Sequence, residues 1–178
     1  NDGRNCSVRS RKPTASLMET PTRQEPEPQD SKSAIGKFIK QCIEISAYLK
    51  ELETQSHLIH LNYEGTNFLA VHAFLKDQYK AHLKQFDKMS EYIRSMDYLM
   101  PMCGKGLRSA ASKFDHVDSY QGGTQLYVYS KNLETLGMKC KKLEPVATKI
   151  GAIDIANFLA DLTGDAFKAA WMVKASLR

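Results

Sequence analysis

Five side chains along one stretch of this chain could do metal chemistry: His60, His72, Lys76, Asp87 and Glu91. Imidazole nitrogens and carboxylate oxygens together suit a divalent transition ion. On a helix turning roughly 100° per residue, His72, Lys76, Asp87 and Glu91 fall at about 0°, 40°, 60° and 100°, which is a single stripe. Length opposes chelation within one chain, because His72 and Asp87 lie about 22 Å apart along such a helix. A two-fold dimer removes the objection. If two copies of the helix lie antiparallel, His72 of one chain comes opposite Asp87 and Glu91 of the other, and His60 joins from the end of the preceding helix. Two equivalent shared sites result. A solvated face also explains such a stripe, and spacing alone favours that simpler account.

The elements that must position these residues follow from length and pattern. At 178 residues the chain has room for one domain with a real core. Its 42% hydrophobic and 25% charged residues are ordinary globular usage. No apolar run approaches the roughly 18 residues of a membrane span, which excludes an integral membrane protein built on helices. Cys6, Cys42, Cys103 and Cys140 form no Cys-x-x-Cys pair, so common zinc and dithiol spacings are excluded and a reducing compartment is suited. The net charge of +5 permits an acidic partner such as nucleic acid.

Residues 1–32 differ from the rest. They hold four of the six prolines and no aromatic side chain, so they cannot bury enough apolar area to offset their ordering entropy. They are expected to form a flexible tail whose basic tip carries Arg4, Arg9, Arg11 and Lys12 against Asp2. Three readings stay open: a solvated leader, a phosphate-binding arm, or the remnant of an organelle-targeting segment.

From Ser33 the pattern is helical. Ile35, Phe38, Cys42, Ile45, Leu49, Leu52 and Ile59 follow three-four spacing, which predicts a helix from a Ser31 or Ser33 cap to Leu61. Asn62-Tyr-Glu-Gly-Thr66 breaks it. Phe68, Val71, Leu75, Tyr79, Leu83, Phe86, Met89, Ile93 and Met96 make a second stripe, Leu126 to Ile150 a third, and Ile155 to Leu177 a fourth. No stretch alternates with period two. The expected fold is therefore all-α, an antiparallel four-helix bundle over residues 33–178. The connection 97–124 is too long for a simple turn, and Leu107, Ala110, Ala111 and Phe114 predict a short extra helix at about 107–115. Trp171 reads as core or interface packing, and Met96, Met100 and Met102 as core packing rather than a soft-metal site.

The run His60-Leu-Asn62-Tyr-Glu-Gly65-Thr-Asn-Phe68-Leu-Ala-Val-His72, continued by Asp87-Lys-Met-Ser-Glu91-Tyr-Ile-Arg94, resembles the signature of the Dps family. These are the mini-ferritins that protect DNA in starved cells. The resemblance covers residues 33–178, including the long connection and Trp171-Met172. It implies a ferritin-like bundle, a hollow homo-dodecamer, and ferroxidase sites at two-fold interfaces that oxidise and store iron (Fe2+/Fe3+). On that reading His60 and His72 are the metal-binding histidines, and Asp87 and Glu91 the carboxylates given by the neighbouring subunit. It further implies an iron-attracting pore, for which Asp154 is the main candidate, and non-specific DNA binding through Arg4, Arg9, Arg11 and Lys12 of the tail. The implied compartment is the cytoplasm beside the nucleoid, or an organelle after removal of a targeting segment.

The chain departs from the family pattern at a telling place. An acidic iron ligand of the family is here Lys76, and a protonated ammonium donates hydrogen bonds but cannot ligate. Leu61 stands where the family has Trp, and the pore segment Gly151-Ala-Ile-Asp154-Ile-Ala-Asn157 is poor in carboxylates. Three functions of different class follow. One is a DNA-shielding, iron-sequestering cage with an impaired ferroxidase site. Another is an active ferroxidase that uses peroxide at an adapted inter-subunit site. The last is a structural bundle that has lost both roles.

Overall fold

A computed structural model describes residues 33–178 of the chain, and within them every regular element is a helix. Helix α1 spans Ala34–Asn62 and α2 Phe68–Ser95. A short α3 covers Gly104–Ala110, followed by α4 at Gly122–Lys149 and α5 at Ile153–Ser176. Ser33 starts α1 as an N-cap, its side chain accepting from the Gly36 N–H at 2.9 Å. That bond satisfies a donor the first helical turn would otherwise leave orphaned. Gly151, at φ 80°, makes the tight reversal from α4 to α5, a backbone region that glycine enters without steric cost.

Two hairpins, α1–α2 and α4–α5, make up the bundle, with α1 packed against α4 and α2 only loosely against α5. Cross-links show that α1 and α4 run antiparallel. Glu44 pairs with Lys139 at 2.5 Å, and Tyr48 donates to Asn132 Oδ1 at 3.0 Å. Further along, Asn132 Nδ2 donates to Gln55 Oε1 at 2.9 Å. This order explains the long connection. α4 starts beside the α1–α2 turn, where Gly122 lies against Tyr63 and the Glu64 carbonyl, whereas α2 ends at the opposite pole. Residues 96–121 must therefore travel the length of the bundle, about 40 Å for a 28-residue helix.

The predicted stripes form the core. Phe38, Cys42, Leu49, Leu52, Leu75, Met89, Leu133, Cys140 and Leu159 are fully buried. On α2 the outcome differs in one turn: Leu83 is 48% exposed and His82 takes the inward position. His82 lies seven residues from both Leu75 and Met89, so it shares their face. Trp171, expected in core or interface packing, is 65% exposed and takes no place in this subunit's core.

The short helix is displaced from 107–115 to Gly104–Ala110. Cys103 caps it, its Sγ accepting from the Gly106 N–H at 3.4 Å. The residues expected to continue it form a loop instead, with Lys113 at φ 60°. Asn132 takes over that loop's backbone groups, accepting from the Asp115 N–H at 3.1 Å and donating to the Asp115 carbonyl at 2.8 Å. Phe114 then packs edge-on against Tyr48, ring centroids 5.0 Å apart.

Candidate metal centre at the α1–α2 junction

The twelve-residue interval between His60 and His72 spans a helix end, a short turn and the first turn of the next helix. It brings the two rings face to face, with centroids 3.7 Å apart and planes 21° from parallel. Each ring is tied to the other's backbone. His60 Nδ1 lies 2.8 Å from the His72 carbonyl, and His72 Nδ1 lies 2.9 Å from the His60 carbonyl. A carbonyl only accepts, so both Nδ1 atoms carry hydrogen and donate. The Nε2 atoms are left to act as ligands, which is how metal-binding imidazoles are commonly oriented. The His60 carbonyl sits in the last turn of α1, where carbonyls lack helical partners, so the pairing also closes that helix.

Around this pair lie aromatic groups. His57 stacks on Tyr79 at 4.1 Å, Tyr79 meets His60 edge-on at 5.4 Å, and Phe68 lies 5.1 Å from His72. His60 is buried and His72 half-buried. The tight approach of Gly122 to Tyr63 and the Glu64 carbonyl seats α4 against the turn that joins the two histidines.

The remaining candidate residues lie apart from the pair. Asp87 and Glu91 are exposed on the far half of α2. Among the described residues, no group of three or more His, Cys, Asp or Glu gathers to hold an ion within one chain. The subunit thus supplies two nitrogens and no acid at this junction. Lys76, one turn past His72, is exposed. Asp77 faces elsewhere, lining a groove of about 340 Å³ between α2 and α5 with His82, Gln85 and Asp165. Asp154 is exposed in the first turn of α5. Arg4, Arg9, Arg11 and Lys12 lie outside the described residues.

One constellation was not anticipated from sequence. His82, 3% exposed, has Nε2 2.8 Å from the Tyr129 hydroxyl and Nδ1 3.1 Å from Gln85 Oε1. Gln85 Nε2 in turn donates to Asp165 Oδ2 at 3.2 Å. Burial pushes the His82 pKa down to about 4 and raises that of Tyr129. The seven-residue register of His82 with Leu75 and Met89 was the available signal.

Comparison with known proteins agrees with this architecture. The profile of the ferritin-like domain family matches residues 44–178. A comparison with curated proteins finds no match. Among solved structures, the Dps protein from Vibrio cholerae O1 is 19% identical with a TM-score of 0.75, over 82% of this chain and 91% of that one. It is described as a member of a broad superfamily of ferritin-like diiron-carboxylate proteins. Antigen TpF1 from Treponema pallidum is 22% identical with a TM-score of 0.75, over 82% and 94% of the two chains. Dps from Thermosynechococcus elongatus is 15% identical with a TM-score of 0.77, over 82% and 92%. These likenesses carry the fold. With the family match spanning most of its length, the chain belongs to the ferritin-like domain family.

Proposed function

We propose that this protein assembles into a hollow dodecamer that sequesters iron and shields DNA during starvation or oxidative stress, with its ferroxidase step weakened by Lys76. The observation that carries this reading is the reciprocal His60–His72 lock, with a lysine one helical turn beyond it. The lock presents two Nε2 donors without any acid from the same chain, so each subunit offers half a site. Asp87 and Glu91 would complete it from a neighbour packed antiparallel along α2. Ferrous iron is then the substrate: the imidazoles and the facing carboxylates hold it while peroxide accepts its electrons.

Lys76 works against this arrangement. At about 4 Å, a lysine ammonium and a divalent ion repel by several kcal/mol at an effective dielectric near 20. The ammonium can also pair with Asp87 or Glu91 of the neighbour and take the place of the ion. DNA binding would rest on Arg4, Arg9, Arg11 and Lys12, repeated around the particle so that weak arms act together.

The test is ferric-iron formation after Fe2+ and stoichiometric peroxide are added to the assembled protein, beside Lys76→Asp. Oxidation at the rate of protein-free buffer, restored in Lys76→Asp, is the expected result. Fast oxidation by the unmodified protein overturns the weakened-site reading and supports an active ferroxidase. The observation favouring that second reading is that the histidine pair is fully pre-arranged rather than collapsed.

A further inference from the structure

We infer that Tyr129 is a redox-active residue and His82 its built-in proton acceptor, together forming a one-electron donor site separate from the His60–His72 junction. The direction of each hydrogen bond along the row Asp165, Gln85, His82 and Tyr129 can be assigned. Asp165 only accepts, so Gln85 presents Nε2–H to it and turns Oε1 toward His82. His82 Nδ1 must then carry the hydrogen donated to Oε1, which leaves Nε2 with a lone pair. The Tyr129 hydroxyl, 2.8 Å away, points its proton at that lone pair. Both residues are sealed in the core, Tyr129 at 0% and His82 at 3% exposure.

A phenol aimed at a free imidazole nitrogen can lose an electron and a proton in one step, without forming the costly phenol cation. With a hydroxyl radical as oxidant, Tyr129 loses one electron and its O–H proton moves to His82 Nε2. The electron and one proton from water convert the hydroxyl radical to water, leaving hydroxide, a neutral phenoxyl radical and an imidazolium. The newly charged ring still donates Nδ1–H to Gln85 and now donates Nε2–H to the phenoxyl oxygen. Glu53 contributes negative charge toward it, and Asp165 lies beyond Gln85 in the same chain of bonds. The Tyr129 hydroxyl also meets Ser56 and, at 3.4 Å, Gln78 Oε1. The 2.8 Å contact to His82 Nε2 is much shorter than the one to Gln78, and that nitrogen is the strongest base beside it.

Access is provided by the 340 Å³ groove between α2 and α5, whose lining includes His82, Gln78, Gln85 and Asp165. Small oxidants can therefore reach the edge of His82, while Tyr129 itself stays covered. Other tyrosines are placed differently. Tyr120 and Tyr127 are 81% and 54% exposed, and Tyr48 is buried but gives its proton to an amide oxygen, Asn132 Oδ1, which is a poor base.

The test generates hydroxyl radicals by photolysis of hydrogen peroxide with the assembled, iron-free protein, and reads trapped radicals by electron paramagnetic and electron-nuclear double resonance. Because no iron is present, the result is independent of the proposed ferroxidase activity. The expected result is a persistent tyrosyl signal with a strong proton coupling that vanishes after exchange into D2O. Tyr129→Phe should lose the signal, and His82→Gln should retain a tyrosyl signal without that coupling. Persistence of the signal in Tyr129→Phe overturns the inference. Should either variant fail to fold, the unmodified protein decides: a tyrosyl signal lacking an exchangeable coupling, or none at all, overturns it equally.

Discussion

Lys76 offers the sharpest test of how charge governs the junction site. Lys76 is one turn beyond His72, and side chains four apart on a helix have Cβ atoms about 5–6 Å apart. An ion held at His72 Nε2 then lies about 5 Å from the ammonium. A unit and a double charge at that distance repel by about 7 kcal/mol at an effective dielectric of 20, and by about 2 kcal/mol in bulk water. Lys76 is exposed in the single subunit, and even the lower figure corresponds to roughly thirtyfold weaker binding. Lys76→Gln removes the charge without adding a ligand and is expected to recover that factor. Lys76→Asp reverses the sign and adds an oxygen donor, so it should gain at least as much again. The assay is titration of the assembled proteins with Co2+, followed by visible absorption of the bound ion. Raising ionic strength shortens the screening length from about 8 Å at 0.15 M to about 3 Å at 1 M. The gap between unmodified protein and Lys76→Gln should therefore narrow with salt. Equal Co2+ affinity for these two proteins at low salt would refute the electrostatic argument.

Other expected outcomes concern stability and DNA. A Cβ at residue 122 would stand 2.8 Å from the Tyr63 ring and 2.9 Å from the Glu64 carbonyl. Gly122→Ala should therefore cost about 1–3 kcal/mol, seen as an earlier urea midpoint, with Co2+ affinity falling as the turn shifts. His82 is held near pKa 4 against an ordinary 6.5, so the unfolded chain takes up a proton that the folded one refuses. Its contribution is complete above pH 6.5 and is lost as pH falls toward 4, about 3 kcal/mol in all. Urea unfolding across that interval measures the loss, and His82→Gln should flatten the dependence. Deleting residues 1–12 removes Arg4, Arg9, Arg11 and Lys12 and should abolish DNA retardation in low-salt gels. Unchanged retardation would move the binding to lysines of the helical shell.

The four long helices were readable because each carries a three-four stripe, interrupted only at Ser56 in α1 and at His82 in α2, and because Ser33, Gly65 and Gly151 mark the turns and starts between them. The His60–His72 pairing was readable from its interval around a helix-breaking turn. The reciprocal backbone bonds were not, since they depend on how two helix ends meet. The short helix was displaced because its cap is a cysteine, a weak and uncommon acceptor, and because Phe114 satisfies its hydrophobicity from a loop. The inward position of His82 was hidden for a related reason: a polar residue in an apolar register is marked by its neighbours seven residues away, and the adjacent Leu83 fits the expected pattern equally well. Trp171 reads as apolar by type, yet its position on α5 faces outward while Ala170 and Val173 beside it are buried.

The loose seam between α2 and α5 has a mechanical consequence. Each hairpin closes through a brief turn, and the two are joined chiefly by the α1–α4 seam and the strap of residues 96–121, with α2 and α5 only loosely packed. The bundle is thus bound like a book, with α1 and α4 as its spine and α2 and α5 as its free edges. Across those edges the clasp is a few side-chain contacts, Gln85 with Asp165 and Tyr92 and Lys88 with Phe158, while His82 ties α2 to Tyr129 on the spine. The leaves can part at the clasp while the spine stays shut, so amides of α2 and α5 facing the groove should exchange hydrogen sooner than those along the spine.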